Sequence, residues 1–387
     1  MGAVSYTVFA RNSLLKRKGT IPYTTLDANL VFCGAGSWSL TLPGRSEKGA
    51  LLGPGSGILI RDDLTGGIIA SGPARRRLFT VAEPDRGPAR ETLTVSGVTD
   101  DWWLYTRAVY PDPAAASTAQ TTTAAYTANT NAETIMRNLV NLNAGPGALT
   151  ARKVFGLVLE TNLSRGATVK TSNRFDRLAD AVTAAATAGG LGWNITQQAA
   201  EELPFHIFEP DDKSGSVRFS RKIGNLRSFN YELLGPEATV AIVAGQGTGT
   251  ARTFREAVNT AAESEWACRI EDFGDRRDTN DTGTLDQAGG NTLAERGPTS
   301  SLSMSPIDTP KCRFAQHYYL GDIVSVDIGD DEWITDVVRQ VKVSANADRT
   351  TVAPLIGSDS ATPSNQPQHY KTLAAALRRI AGLERRV

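Results

Sequence analysis

Short runs of alternating apolar and polar residues, bounded by glycine or proline, recur in two parts of this sequence. They include SWSLTLP (37–43), SGILIRDD (56–63) and RETLTVSGV (90–98) in the first part, and YYLGDIVSVDI (318–328) and TTVAPLIG (350–357) in the second. An alternation of period two is typical of strands that bury one face, and many short strands separated by turns are typical of small barrels or sandwiches. We therefore predict one small β-barrel domain in residues 1–110 and a second in residues 223–356.

The residues between these two parts have a different pattern. The sequence first becomes poor in large apolar residues, and two segments with a helical apolar face follow. The first helix is predicted over Ala132–Leu142 with Asn131 as its N-cap, and the second over Arg174–Ala188 with Asn173 as its N-cap. The strand-like segments GWNITQQ and PFHIFEP come next, so residues 111–222 are predicted to form an α/β insert domain.

The last part of the sequence, residues 357–387, is predicted to be a polar linker followed by an amphipathic helix. The apolar residues of this helix lie on one side and are Leu373, Leu377, Ile380, Leu383 and Val387. A lone helix of about eighteen residues is marginal in water, so the stripe needs a partner. Three-fold self-association through a coiled-coil seam is the favoured interpretation, and packing onto the chain's own second barrel is the alternative.

The fold class predicted from these patterns is a β-rich α+β multidomain chain, in which two small β-barrels flank an α/β domain and a C-terminal helix follows. With 387 residues and 40% hydrophobic residues, the chain is long enough for two or three cores. Lys plus Arg and Asp plus Glu both number 41, so no overall field draws the chain to nucleic acid or membrane. No apolar run reaches the ~18–20 residues of a membrane span, and synthesis and folding in the cytosol are expected.

Acidic residues are concentrated in one part of the chain. Residues 256–369 contain 19 acids and 9 bases, and a predicted acidic loop, Asp272–Asp286, begins this excess. The segment DTNDTG resembles the start of a calcium loop, but Gly289 stands where the closing glutamate is needed, so no essential metal is expected. Three widely spaced cysteines, without a CxxC pair, argue against both a disulfide framework and a zinc site.

Motifs for cofactors and for nucleophilic catalysis are incomplete. AGQGTGTAR follows a strand, but Thr250 stands where a dinucleotide-binding loop has its third glycine. His206, His317 and His369 are the only histidines, and none lies in an HExxH pair or beside a GxSxG serine. We therefore expect no cofactor.

Paired carboxylates are the remaining catalytic candidate, because glycoside hydrolysis needs two of them. Asp327, Asp330, Asp331 and Glu332 cluster in DIGDDEW. Acids around a glycine are typical of a solvated hairpin turn, whereas catalytic carboxylates are usually brought together from different strands and buried. A non-enzymatic protein is therefore favoured, and a cell-wall hydrolase is the alternative.

Six segments, in this order, resemble the tail-hub proteins of long-tailed phages of actinobacteria, which belong to the wider baseplate-hub and tail-associated superfamily. The segments are GPGSGILIRDD, SGVTDDWWLYTRAVYPDP, GNLRSFNYEL, AGQGTGTAR, EDFGDRRDTND and YYLGDIVSVDI. The resemblance implies a structural virion protein at the tail tip, assembled in the host cytoplasm. It implies a homotrimer in which each chain supplies two tail-tube-like barrels, so that three chains present six units to a hexameric tube.

The resemblance also implies a channel for DNA and a set of neighbours. The expected partners are the tail tube or a distal tail protein, the tape measure protein, and other tail-tip or fibre proteins. An acidic channel wall would repel DNA phosphates, so Asp272, Asp275, Asp278 and Asp281 are candidates for a lumen-facing surface. The alternatives to a hub of a flexible tail are a tail-associated cell-wall hydrolase and the hub of a contractile injection particle.

Overall fold

The computed structural model describes residues 5–82, 90–307, 309, 311–329 and 332–357. The first strands are β1 (Tyr6–Arg11), β2 (Arg17–Ile21), β3 (Thr25–Val31), β4 (Ser37–Pro43), β5 (Gly57–Asp62), β6 (Ile68–Ala82), β7 (Arg90–Val98) and β8 (Tyr126–Asn131). The later strands are β9 (Leu157–Leu159), β10 (Thr168–Asn173), β11 (Gly192–Ile195), β12 (Leu203–Phe208), β13 (Arg218–Phe219), β14 (Leu226–Leu234), β15 (Val240–Ala244), β16 (Phe254–Val258), β17 (Glu271–Asp275), β18 (Thr299–Pro306), β19 (Ile323–Gly329), β20 (Glu332–Asn346) and β21 (Thr350–Gly357). The α-helices are α1 (Trp102–Tyr105), α2 (Ala132–Asn143), α3 (Leu178–Gly189), α4 (Thr260–Trp266) and α5 (Thr282–Arg296).

Thirteen strands from both ends of the chain form one large sheet. Eleven of them follow the order β14-β18-β21-β20-β3-β4-β7-β6-β5-β1-β2, and β19 and β13 branch from β20. The two ends of the chain meet where β3 pairs antiparallel with β20, with Leu30 opposite Val341 and Ala28 opposite Val343. Inward residues of both ends, such as Leu40 and Ile356, are fully buried in one shared hydrophobic core.

This sheet corrects the prediction of two separate small barrels. The described strands contain no closed barrel, because the apolar faces of residues 1–110 and 223–356 are buried in one core and their strands pair through β3 and β20. The alternation that predicted the strands is present, but it does not reveal which strands become neighbours. The large antiparallel sheet with few helices confirms the β-rich class.

Two long strands have the same role in the two halves of this sheet. Strands β6 and β20 each contain 15 residues. The first half of each pairs with the strand before it, β5 or β19, and the second half pairs with the strand after it, β7 or β21. The register against β7 and β21 shifts by one residue at Arg75 in β6 and at Arg339 in β20. Each half is therefore built around a long strand with one bulged arginine.

A second hydrophobic core lies in the α/β part of the chain. Helices α2 and α3 pack together, and their buried residues join those of β11 and β12 around Trp193 and Phe205. The Asn131 side chain accepts a hydrogen bond from the Thr134 amide at 2.9 Å, which confirms this residue as the N-cap of α2. Helix α3 begins at Leu178, later than predicted, because Asn173 ends strand β10, which pairs with β8.

Strands β15, β16 and β17 form a small sheet with α5 against it, between the ends of β14 and β18. This arrangement corrects the predicted loop Asp272–Asp286, because the first residues of that segment lie in strand β17 and its last residues lie in helix α5. The Asp281 side chain accepts a hydrogen bond from the Thr284 amide at 2.8 Å and caps α5. The predicted C-terminal helix, its five apolar residues, Asp330 and Asp331 lie outside the described residues.

Candidate assembly surface

The outward face of the large sheet is rich in small hydroxyl side chains. Strand residues whose side chains point away from the core include Ser37, Ser39, Thr41, Thr94, Ser96, Ser228, Ser303, Ser305, Ser344 and Thr351. Across β3, β4, β7, β20 and β21 this face forms a hollow of about 590 Å³, whose lining has one acid, Asp27, and one base, Lys342. The hollow is therefore nearly neutral, and its lining offers no cluster of bases to hold phosphate.

Two strand edges of the sheet carry exposed apolar side chains. In the second half of β6, Leu78, Phe79 and Val81 are 41–52% exposed. In β14, Leu233 and Leu234 are 48% and 38% exposed. Among the described strands, β14 pairs only with β18, and the edge of β6 that faces away from β7 has no partner beyond β5. Unpaired edges with apolar side chains are surfaces for association with another strand.

A buried polar cluster joins the large sheet to the α/β core. The Arg11 guanidinium, at the end of β1, makes two hydrogen bonds of 2.8 Å and 2.5 Å to the Asp100 carboxylate and a third, of 2.7 Å, to Gln197 Oε1. Asp100 also accepts hydrogen bonds from the Ser71 hydroxyl and the Trp103 indole. The charges of Arg11 and Asp100 are paired with each other and hydrogen-bonded, which offsets part of the cost of burying them.

Asp101, the next residue, lies in the same cluster. It accepts hydrogen bonds of 2.7 Å from the Ile195 amide and from the Thr99 hydroxyl. Burial and, to a smaller extent, the neighbouring Asp100 together raise the pKa of Asp101 to about 7, against the lowering effect of these hydrogen bonds. The burial of these two acids was not predicted from the sequence, because an Asp pair beside tryptophans is equally consistent with a buried cluster and with a solvated turn.

The four aspartates predicted to face a channel each lie near a base. Asp272 pairs with Arg296 at 3.0 Å, Asp278 with Arg276 at 2.9 Å and Asp281 with Lys170 at 3.1 Å, and Asp275 contacts Arg252 and Arg277. They lie on the small sheet, in the turn that follows β17 and at the N-cap of α5. The ion pairs reduce their combined field, and their lumen-facing position stays a prediction.

Asp327, which was weighed as a catalytic carboxylate, and two of the histidines have structural contacts. Asp327 accepts hydrogen bonds from the Ser220 hydroxyl at 2.7 Å and from the Gly329 amide at 3.0 Å, so it holds the hairpin turn. His206 contacts Glu160 at 2.7 Å and stacks on Phe208, and the His317 ring accepts from the Arg313 amide. Across the described ranges, no group of three or more His, Cys, Asp or Glu is arranged to hold a metal ion.

A family model matches residues 7–358 of the chain. The chain belongs to the Siphovirus ReqiPepy6 Gp37-like protein family. No curated protein matches it. The matched span includes the large sheet, the α/β core and the small sheet. The narrower resemblance to phages of actinobacteria stays a prediction.

Three solved structures with a similar fold are described as tail proteins. The tail protein from Neisseria meningitidis MC58 has 14% sequence identity and a TM-score of 0.54, with 92% of this chain and 97% of that chain covered. The 43 kDa tail protein of prophage MuSo2 from Shewanella oneidensis has 11% identity and a TM-score of 0.54, with coverages of 91% and 97%. Prophage tail protein gp18 from Listeria monocytogenes EGD-e has 7% identity and a TM-score of 0.53, with coverages of 97% and 99%. At these identities the likeness establishes the fold alone.

A helix both long and apolar enough to cross a membrane was not found in the part of the chain that the structure describes.

Proposed function

We propose that this chain is a structural protein of the phage tail tip, a baseplate hub that forms a homotrimer around the channel through which DNA leaves. Membership in a siphovirus family and the fold of phage tail proteins support a place in the virion tail. The observation that carries the hub proposal is the pair of similar β units, built around β6 and β20, in a single chain. Three chains with two units each supply six similar positions to a six-fold tube.

The open sheet fits such an assembly. No barrel closes within the described chain. The eight consecutive strands of the large sheet from β14 to β6 end in two exposed edges, β14 and the second half of β6. In a ring, the same edges are covered by neighbouring chains, so tube-like closure is a property of the trimer. The hydroxyl-rich face suits a channel wall because the hollow on it has no cluster of bases that would form ion pairs with DNA phosphates.

The place in the particle is tested by labelling. A short peptide tag inserted at the exposed Gly66 turn, between β5 and β6, is bound by gold-conjugated antibody on intact particles. We expect gold only at the distal end of the tail. Gold along the tail tube or on the capsid contradicts the tail-tip proposal.

Oligomeric state is tested by light scattering of the purified chain. We expect a mass three times that of the 41.3 kDa protomer. The C-terminal stripe, Leu373 to Val387, is proposed to stabilise this trimer. A chain that ends at Ser358 is therefore expected to associate more weakly and to dissociate at a higher protein concentration than the full chain. Equal assembly and thermal stability of the two chains would reassign the stripe to packing or to a separate partner.

The absence of enzymatic activity is also a proposal, and the alternative is a cell-wall hydrolase. Release of dye from labelled host cell walls is the assay, with the Asp330→Ala and Glu332→Ala variants as controls. We expect no release above buffer. Release that both substitutions abolish would overturn the structural proposal in favour of the hydrolase.

Binding to tail-tube, tape measure and fibre proteins is also proposed, because the resemblance to tail-hub proteins implies these partners.

A further inference from the structure

The two β units correspond residue by residue. In the first unit, neighbouring strands place Ala28, Trp38, Gly97 and Ala74 in one row across β3, β4, β7 and β6. In the second unit, Tyr231, Leu302, Ile356 and Val338 form the same row across β14, β18, β21 and β20. In both rows the last residue directly precedes the bulged arginine of the long strand. This shared bulge fixes the register in which the strands of one unit correspond to those of the other.

This correspondence matches a strand edge that is paired within the chain to two strand edges that are unpaired. Within the chain, β3 of the first unit pairs with the second half of β20. The counterpart of β3 is β14, and the counterpart of that part of β20 is residues 76–82 of β6. Neither has a partner strand on this edge among the described residues. The chain therefore contains one complete junction between units and the two separated halves of another.

We propose that β14 of one chain pairs antiparallel with residues 76–82 of β6 in a second copy, in the register that β3 and β20 use within one chain. Ala28 lies opposite Val343 in the internal junction, so Tyr231 lies opposite Phe79 in the external one. The internal pair of Asp27 and Ser344 corresponds to Asn230 opposite Thr80 in the external junction. The internal pair of Leu26 and Ala345 corresponds to Phe229 opposite Val81. This pairing rests on the proposed homotrimer and specifies its interface.

The chemistry of the two edges fits this register. Phe79 and Val81 are about half exposed, and Phe229 and Tyr231 are partly buried against the main core. Opposed aromatic and branched side chains are favourable cross-strand pairs, and they extend the core across the junction. On the outer face, Thr80 and Asn230 continue the polar surface. The two edges differ, so the contact is head-to-tail, and such contacts close into rings when the rotation permits.

Cysteine cross-linking tests the register. In the internal junction the Ser344 hydroxyl donates to Asp27 at 2.6 Å, so side chains of this pair touch. A Thr80→Cys chain is mixed with an Asn230→Cys chain and oxidised, and a disulfide between two different single variants can only join two molecules. We expect a covalent dimer on a non-reducing gel, and a covalent trimer from the double variant. Each single variant oxidised alone controls for the native cysteines.

A matched control places the second cysteine on the same face but two residues away. Thr80→Cys mixed with Ser228→Cys is expected to form little disulfide, because diagonal positions lie about 7–8 Å apart and exceed disulfide geometry. A trimer by light scattering without the Thr80 to Asn230 link overturns this pairing and leaves the hub proposal intact. A chain that stays monomeric under the same conditions overturns both.

Edge substitutions supply an independent readout. Phe79→Lys and Leu233→Lys are expected to weaken self-association about tenfold or more while the melting temperature of the dissociated chain stays near that of the wild type. Leu163→Lys is the control, because Leu163 is 63% exposed in a loop outside both edges. Equal assembly of all three variants would contradict the interface.

Discussion

Arg11 and Asp100 lie 89 positions apart in the chain and form a fully buried ion pair where the large sheet meets the α/β core. Neither residue is predictable from the sequence, because ordinary charged residues carry no local sign of burial. Asn131 is predictable as a cap, because its capping role depends only on the following three residues. At the residue scale, local chemistry was predictable and long-range pairing was not.

Removing the Arg11 guanidinium is expected to be strongly destabilising. Arg11→Met leaves the Asp100 carboxylate buried without its partner, so we expect the free energy of unfolding to fall by about 3–5 kcal/mol in urea titrations. Arg45→Ala is the control, because Arg45 pairs with Glu91 on the surface, and a loss of about 0–1 kcal/mol is expected. Equal losses in the two variants would contradict the importance of burial. Partial recovery in Arg11→Met with Asp100→Asn is expected.

Asp101 is expected to give stability an unusual pH dependence. Its pKa in the folded chain is about 7, above the ordinary 3.8, so between these values the folded state holds a proton that the unfolded state lacks. This group therefore stabilises the fold increasingly as pH falls from about 7 towards 4. Asp101→Asn removes the titrating group.

The measurement is the free energy of unfolding of both proteins at pH 5 and pH 8. We expect the wild type to gain stability relative to Asp101→Asn on going from pH 8 to pH 5. The difference between the two proteins isolates this carboxyl from all other titrating groups. A difference that stays constant with pH would show that Asp101 titrates normally.

At the element scale, several strands and one helix follow from local pattern. Helix α2 begins at its predicted cap, whereas α3 begins after Asn173 because that residue is held in a hairpin with β8. The small sheet was missed for a similar reason. Strand β17 pairs parallel with β15 about thirty residues earlier, and a sequence rich in Asp, Thr and Gly favours a loop unless that distant pairing is known.

The cap of α2 gives a quantitative test of local prediction. Asn131→Ala leaves the Thr134 amide without its acceptor, so we expect a loss of about 1 kcal/mol in the free energy of unfolding. Asn131→Ser retains an acceptor oxygen and should lose only a few tenths of that amount. Chemical denaturation of the three proteins is the measurement. An unchanged Asn131→Ala variant would mean that water replaces the side chain without cost.

At the scale of the whole molecule, the sequence predicted two β regions around an α/β part but not their union into one sheet. The alternating pattern determines which side chains face inward, and both units then share a single core. The predicted assembly surface, the C-terminal stripe, lies outside the described residues. The exposed edges of β6 and β14 have no special sequence signal, because their apolar residues look like those of buried strands.

The small sheet is expected to be dispensable for the main fold. Leu234 and Thr299 lie opposite each other where the chain leaves and re-enters the large sheet, and in the first unit a turn of residues 32–36 spans the corresponding gap between β3 and β4. Replacing residues 235–300, whose flanking residues correspond to Val31 and Ser37, by that five-residue turn should leave a folded protein that still self-associates. Its melting temperature should fall, because contacts such as Lys170 to Asp281 are lost.

Circular dichroism, thermal melting and light scattering measure the outcome. Full-length Lys170→Met is the control for the lost ion pair, and it should reproduce only a small part of the decrease in melting temperature, because that pair is exposed. An aggregated or unfolded excision variant beside a folded control would show that the small sheet is required for the large one.

The presence of two β units in one chain has an evolutionary consequence. If six identical chains formed a ring, every substitution would appear at all six positions, and a change that suits one neighbour would be imposed on every other. With two copies encoded in tandem, each copy accumulates its own changes, and only alternate positions are affected. The small sheet lies between β14 and β18 and has no counterpart between β3 and β4, so the two units already differ in this way. In the proposed trimer, a two-unit chain therefore lets half of the positions carry a part that the other half lack.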